Sequence, residues 1–188
     1  KAFDYYELAA ELGNSDSQCI YGCKIIDDNF EVGLKMLQNS AIQGNLSGRD
    51  YYMKYIIEAK NTDSRVLSSL RRLKEKADKG ANKARFIYGK LLVKGPNNDE
   101  NIGKEGFHED VNEGVKYLKM AADANESDAI FYYAYLLIKG KVIPKNEKKA
   151  IKMVEKVAIK ENNEKAILKC AKYFFKTEPD KGLWFLQL

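Results

Sequence analysis

Four helix-ending positions, Gly13, Gly44, Gly80 and Asn125, punctuate an otherwise apolar-periodic chain, and the residues around them recur in phase. Four residues after them stand the small side chains of Ser17, Gly48, Ala84 and Ala129. Eight after stand Tyr21, Tyr52, Tyr88 and Tyr133, nine after Gly22, Met53, Gly89 and Ala134, and twelve after Ile25, Ile56, Leu92 and Leu137. Three before stand Ala10, Ala41, Ala77 and Ala122, and seven before Tyr6, Leu37, Leu73 and Leu118. A blurred fifth copy has Val157-Ala158 before Glu161 and Ala166, Cys170, Ala171 and Phe174 after it. Gly and Asn tolerate the left-handed backbone conformation that ends helices.

This pattern predicts pairs of antiparallel helices. Small residues let neighbouring helices approach, and the tyrosine and aliphatic positions fill the space between them. One pair cannot bury its apolar face alone, so stacked pairs make a continuous core. The periodicity predicts helices over about 2–12, 16–27, 30–43, 47–60, 64–79, 82–94, 111–124, 127–139, 146–160, 164–176 and 180–188, with no strand. The anchors lie 31, 36 and 45 residues apart; the shortest unit uses the connection Asp27-Asp28-Asn29, and the longest contains a polar insertion, GPNNDENIGKEGFHED, over about 95–110.

KAFDYYELAAELGN, KARFIYGKLLVKG and GVKYLKMAADANESDAIFYYAYLLIKGKVIPKNEKKAIKMVEKVA resemble Sel-one-like repeats, relatives of the tetratricopeptide repeats. Tyr88-Gly89, Leu92 and Gly95 fit that pattern, as do Tyr133, Leu137 and Gly140 with Lys149-Ala150 opening the next helix. Tyr21-Gly22 fits with a shortened loop, and Met53 stands where Gly is usual. The resemblance covers nearly the whole chain. It implies an all-α, right-handed superhelix (a solenoid) of about five helical hairpins over 1–188. Both ends cut through the pattern: Lys1-Ala2, Tyr5-Tyr6 and Ala9-Ala10 read as a second helix without its first, and the chain stops on Trp184, Phe185, Leu186 and Leu188. A fragment of a longer array or of a multidomain protein is therefore expected, with end-to-end self-association possible through the apolar ends.

Composition agrees with a folded helical chain. Hydrophobic residues make up 45% and only three prolines interrupt it. No apolar run approaches the roughly 20 residues that cross a bilayer. Net charge is +5, unevenly placed: residues 1–60 hold 6 basic and 9 acidic side chains, the remainder 26 and 18. The basic part could attract an acidic partner or nucleic acid, but interleaved Glu and Asp read as a solvated surface. Three cysteines, Cys19, Cys23 and Cys170, make no disulfide framework, and their odd number favours a reducing, cytoplasmic setting. Against that stand two glycosylation sequons, Asn45-Leu46-Ser47 and Asn125-Glu126-Ser127, where 14 asparagines would give about one by chance. The secretory pathway or endoplasmic-reticulum lumen is the alternative.

Catalytic and metal chemistry finds no motif. The one histidine, His108, lies in the polar insertion, and no serine or cysteine belongs to a nucleophile motif. Gly103-Lys104-Glu105-Gly106 lacks the frame of a phosphate loop. The run 97–101 lacks the glycine and the twelfth-position carboxylate of a calcium loop. Asp27-Asp28 and Glu109-Asp110 precede predicted helices, where they suit the helix dipole. Cys19 and Cys23, four apart on a helix, read as small half-buried residues rather than metal ligands. Lys148, Lys152, Lys156 and Lys160 form a stripe, diluted by Glu147, Glu155 and Glu161 and lacking base-stacking aromatics, so nucleic acid is not the expected partner. No catalytic residue, cofactor or metal is assigned.

Phe131, Tyr132, Tyr133 and Tyr135 cannot all face one core, because a helix turns about 100° per residue. Tyr133 shares the core face with Tyr21, Tyr52 and Tyr88. Position seven after the anchor, Ile20, Tyr51, Ile87 and Tyr132, points the other way, as does position ten, Cys23, Lys54, Lys90 and Tyr135. The resemblance implies that this ladder faces a concave groove. Tyr51, Lys54, Lys90, Tyr132 and Tyr135 are the candidate contacts for a peptide or protein; the competing expectation has position seven tucked against adjacent units. The expected function is a non-catalytic interaction scaffold or adaptor. The alternatives are a targeting segment of a larger enzyme, such as a kinase, and a luminal adaptor in endoplasmic-reticulum-associated degradation.

Overall fold

The computed structural model describes residues 2–59, 63–95 and 110–161, with single positions beyond them. Among the described residues the chain forms nine helices and no strand: α1 (Ala2–Glu11), α2 (Ser15–Ile25), α3 (Phe30–Gln43), α4 (Leu46–Glu58), α5 (Ser64–Asp78), α6 (Asn82–Lys94), α7 (Val111–Asp123), α8 (Ser127–Lys139) and α9 (Glu147–Glu161). Each lies within two residues of its expected span. The helices expected over 164–176 and 180–188, Cys170, and His108 with most of the 95–110 insertion lie outside the described residues.

All four anchors adopt the left-handed conformation: φ is +94° at Gly13, +103° at Gly44, +97° at Gly80 and +62° at Asn125. The same two hydrogen bonds close each turn. The anchor N–H donates to the carbonyl three residues back (Ala10, Ala41, Ala77 and Ala122), and the next N–H donates to the carbonyl five back (Ala9, Ser40, Lys76 and Ala121). This arrangement satisfies the last carbonyls of the ending helix and turns the chain within two residues. Where the residue after the anchor is Asn, it starts the next helix directly: Asn14 Oδ1 accepts from Ser17 N at 2.8 Å and Asn45 Oδ1 from Gly48 N at 2.7 Å.

The chain divides into two compact units, residues 1–117 and 118–188. In the first, consecutive helices α1 to α4 pack as hairpins, as do α5 and α6. There α2 also packs on α4, α3 on α5 and α4 on α6, the pattern of stacked repeats. Leu34, Leu37, Tyr52, Ile56, Leu73 and Ala84 fill its core. In the second unit α8 packs on α9, burying Ala129, Tyr133, Leu137, Ala150, Ile151 and Val154.

The recurring tyrosines Tyr21, Tyr52, Tyr88 and Tyr133 are all buried, as are the alanines three before the anchors. Three expectations need correction. Ile26, not Ile25, is the deeply buried aliphatic of the first copy: α2 ends at Ile25 and Gly33 lies directly against the Ile26 backbone. Tyr6 stays largely exposed and does not fill the space that Leu37, Leu73 and Leu118 fill. The cap of α3 is Asn29, whose Oδ1 accepts from Val32 N at 3.2 Å, rather than Asp27 or Asp28. Asp110 does cap α7, accepting from Glu113 N at 2.9 Å.

Candidate functional site

In the first unit, a groove of about 840 Å³ opens between the first helices of two successive hairpins, α2 and α4, with α1 on its flank. Its α2 wall is built from Asp16, Cys19, Ile20, Cys23 and Lys24, its α4 wall from Ser47 and Tyr51, and its flank from Phe3 and Tyr6. Helix periodicity explains the set: Asp16, Ile20 and Cys23 stand three, seven and ten residues after Gly13, and Ser47 and Tyr51 three and seven after Gly44. Apolar side chains remain uncovered there: Phe3 is 39% exposed, Tyr6 41%, Ile20 45% and Tyr51 45%. Phe3 rests on the Tyr21 ring with centroids 5.3 Å apart, and Tyr21 donates to Glu7 Oε1 at 2.5 Å. Asn45 Nδ2 donates to Asp16 Oδ1 at 2.6 Å, bridging the two walls at one end of the groove.

The two groove thiols are held in their protonated form. Cys23 is pushed up to about 11, first by burial and then by Cys19, and burial also raises Cys19. Both are neutral thiols near pH 7. Among the described residues, no group of three or more His, Cys, Asp or Glu is placed to hold a metal, and no helix is long and apolar enough to cross a membrane.

The other candidate contacts fall in separate places. Lys54 is exposed on α4. Lys90 on α6 is half-buried, its Nζ 5.6 Å from the centre of the Phe86 ring. Ile87, the position-seven residue of that copy, is fully buried, so the outward ladder is interrupted there. In the second unit, Tyr132 and Tyr135 stack, with ring centroids 6.1 Å apart and planes at 25°. Tyr135 is 47% exposed and has Lys139 Nζ 5.6 Å from its ring centre. Tyr132 is half-buried, and burial raises its phenol above the ordinary range.

Two polar features were not foreseen from the sequence. Gln38, Tyr52 and Ser69 form a sealed cluster joining α3, α4 and α5. Gln18 Nε2 donates to Ala10 O and Arg85 Nε to Ala77 O, both at 3.0 Å. These residues stand five after their anchors and reach the carbonyl three before, so one side-chain cap recurs in two repeats with different chemistry. Only the anchor register links a Gln and an Arg in sequence, which is why composition does not flag them.

This geometry defines an α-helical repeat protein, with short left-handed turns between hairpins and an exposed groove between first helices. The Sel1 repeat family model matches residues 1–14, 103–126 and 127–162. Over those residues the chain is similar to Sel1 repeats, and its all-α repeat fold is that of solved Sel1 repeat proteins. A Sel1 repeat protein from Oxalobacter formigenes has a similar fold at 19% identity and a TM-score of 0.56, over 99% of this chain and 74% of that one. A protective antigen of uropathogenic Escherichia coli strains, described as displaying an SLR fold, is similar at 20% identity and a TM-score of 0.50. That match covers 93% of this chain, which spans only 36% of the antigen's length. No curated protein matches the sequence. Proteins of the Sel1 repeat family are generally non-catalytic interaction scaffolds.

Proposed function

We propose that this chain is a non-catalytic scaffold that holds an apolar peptide segment of a protein partner in the α2–α4 groove. The observation that carries this reading is the cluster of half-exposed Phe3, Tyr6, Ile20 and Tyr51 around one concavity. Aromatic side chains give large contact area at modest entropy cost, and they dominate binding energy where a partner desolvates them. Covering the exposed part of each contributes roughly 1–2 kcal/mol. Four of them only about offset an association cost of some 4–15 kcal/mol, so the groove alone supports weak binding and the partner needs further contacts. The stacked Tyr132–Tyr135 pair offers a second, smaller anchor within residues 118–188.

The test is selection from a displayed random-peptide library on the immobilised chain, followed by affinity measurements on Ile20→Glu/Tyr51→Glu and on Tyr132→Ala/Tyr135→Ala. Selected peptides rich in large apolar residues, weakened tenfold or more by the first double variant, are the expected result. Peptides held equally by the parent and that variant would remove the groove from the function. Loss on the second variant alone would move the site to the tyrosine pair.

A further inference from the structure

A second surface, independent of the groove, lies at the start of α9. From Lys139 to Lys156 the chain carries seven lysines against two glutamates, a surplus as large as the +5 of the whole protein. Glu147 is engaged by Lys145 at 2.9 Å, and Glu155 also has an electrostatic or hydrogen-bonding partner. Lys148, Lys149, Lys152 and Lys156 are exposed and, with Asn146 and Met153, line one shallow concavity of about 370 Å³. Lys148 and Lys149 occupy the first turn of the helix, where the backbone dipole disfavours cations. Repulsion among the lysines adds to that cost. An anionic partner would offset both.

The surroundings narrow the class of partner. Ala150, Ile151, Val154, Val157 and Ala158, the apolar face of α9, are already buried in the unit, so they are not available to enter a bilayer. A concave site also fits a planar headgroup surface poorly. No aromatic residue occurs between Lys145 and Glu161, and Tyr133, whose ring centre lies 5.8 Å from Lys149 Nζ, is buried, so bases have no exposed stacking platform among these residues. Lys148, Lys152 and Lys156 follow an i, i+4, i+8 spacing, which sets their stems about 6 Å apart along the axis. Alternate side chains of an extended peptide recur about every 6.6 Å. We propose that this face docks an acidic peptide segment, its alternate carboxylates pairing with Lys148, Lys152 and Lys156.

The test titrates a fluorescein-labelled deca-glutamate peptide with the whole chain at about 50 mM and about 150 mM salt, where screening separates true pairing from diffuse attraction. The triple variant Lys148→Glu/Lys152→Glu/Lys156→Glu is compared with a control of identical charge change, Lys35→Glu/Lys76→Glu/Lys79→Glu. All six lysines are exposed, and circular dichroism checks that helicity is kept. The expected result is saturable binding, weakened roughly tenfold or more by the first triple and about twofold or less by the control. A neutral Lys148→Gln/Lys152→Gln/Lys156→Gln variant falls between the parent and the reversed triple. Equal weakening by both charge-reversed triples would reduce the effect to net charge and overturn the proposal. So would the absence of saturable binding at the lower salt. Tighter binding of an oligo-dT strand or of phosphatidylserine vesicles than of the peptide would also overturn it, in favour of those partners.

Discussion

Gln38 on α3 donates its side-chain amide to the phenolic oxygen of Tyr52 on α4 at 2.8 Å, with both residues sealed from solvent. The same nitrogen lies 2.7 Å from Ser69 O and 3.1 Å from Ser69 Oγ on α5, and the Tyr52 hydroxyl lies 3.1 Å from that Oγ. A buried polar group left unpaired costs more than the bond itself contributes. Gln38→Ala opens a cavity and removes the donor that Tyr52 and Ser69 share, leaving them only their mutual hydrogen bond, so it should destabilise by roughly 2–4 kcal/mol. Tyr52→Phe removes one member only and should cost roughly 1–2 kcal/mol. Urea unfolding of both singles and the double should show coupling, the double costing less than the sum. Additive costs would mean the three groups act separately.

The buried tyrosines make the fold sensitive to alkali. Burial pushes the Tyr52 phenol up to about 12 and the Tyr88 phenol to about 12, and the bond to Glu7 does the same for Tyr21. In an unfolded chain a phenol titrates near 10. Below about pH 10 both states keep the proton and stability does not depend on these groups. From about 10 to 12 the unfolded state loses protons that the folded state retains, so stability falls as pH rises. Thermal melts from pH 8 to 12 should show Tm flat at first and then declining, less steeply in Tyr52→Phe. An unchanged slope in that variant would mean Tyr52 is not among the groups responsible.

The anchors separate backbone strain from crowding. A Cβ at Gly13 meets nothing within 4 Å, and one at Gly80 only Arg85 Nη2 at 3.7 Å, so Gly→Ala there tests the positive φ alone and should cost about 1–2 kcal/mol. Gly33 has no such φ, but its Cβ would sit 2.7 Å from Ile26 Cα, a backbone atom that cannot swing aside. Gly33→Ala should cost about 1–3 kcal/mol by forcing α2 and α3 apart. Asn125 is the one described non-glycine with positive φ, and Asn125→Gly should stabilise by about 0.5–1 kcal/mol. Denaturant midpoints give all four values, and a destabilised Asn125→Gly would show that the Asn side chain supplies something the turn needs.

Much of the hairpin architecture was legible because it rests on local chemistry repeated in register. Gly44 and Asn125 each end a helix by their own conformational freedom, and Tyr52 and Tyr133 follow at a spacing the helix fixes. What depends on a neighbouring unit was not legible. Ile87 and Tyr51 occupy equivalent positions, yet one is buried and the other half-exposed, a difference that spacing along the helix does not encode. Gln38 looks like a polar residue on an apolar face until Tyr52 and Ser69 are brought to it from 14 and 31 residues away. The flank of the groove was hidden for the same reason: Tyr6 falls on a core position of the repeat, and its exposure is decided by packing rather than by spacing.

The two sequons differ in what a glycan would disturb. Asn45 spends both ends of its amide: Oδ1 caps α4 through Gly48 N, and Nδ2 holds Asp16 across the end of the groove. A sugar on Nδ2 would crowd that bridge and project from the groove wall beside Ser47. Asn125 is exposed at a turn, where a sugar has room. Asn45→Ala, which removes cap and bridge together, should therefore cost about 1–2 kcal/mol. When the chain is secreted from a glycosylating host, the folded fraction should carry glycan at Asn125 and be depleted of it at Asn45. Site-by-site mass spectrometry of the soluble protein measures both occupancies. A fully glycosylated Asn45 with unchanged Tm would mean that the Asp16 bridge contributes nothing to stability, and that the end of the groove tolerates a bulky polar group.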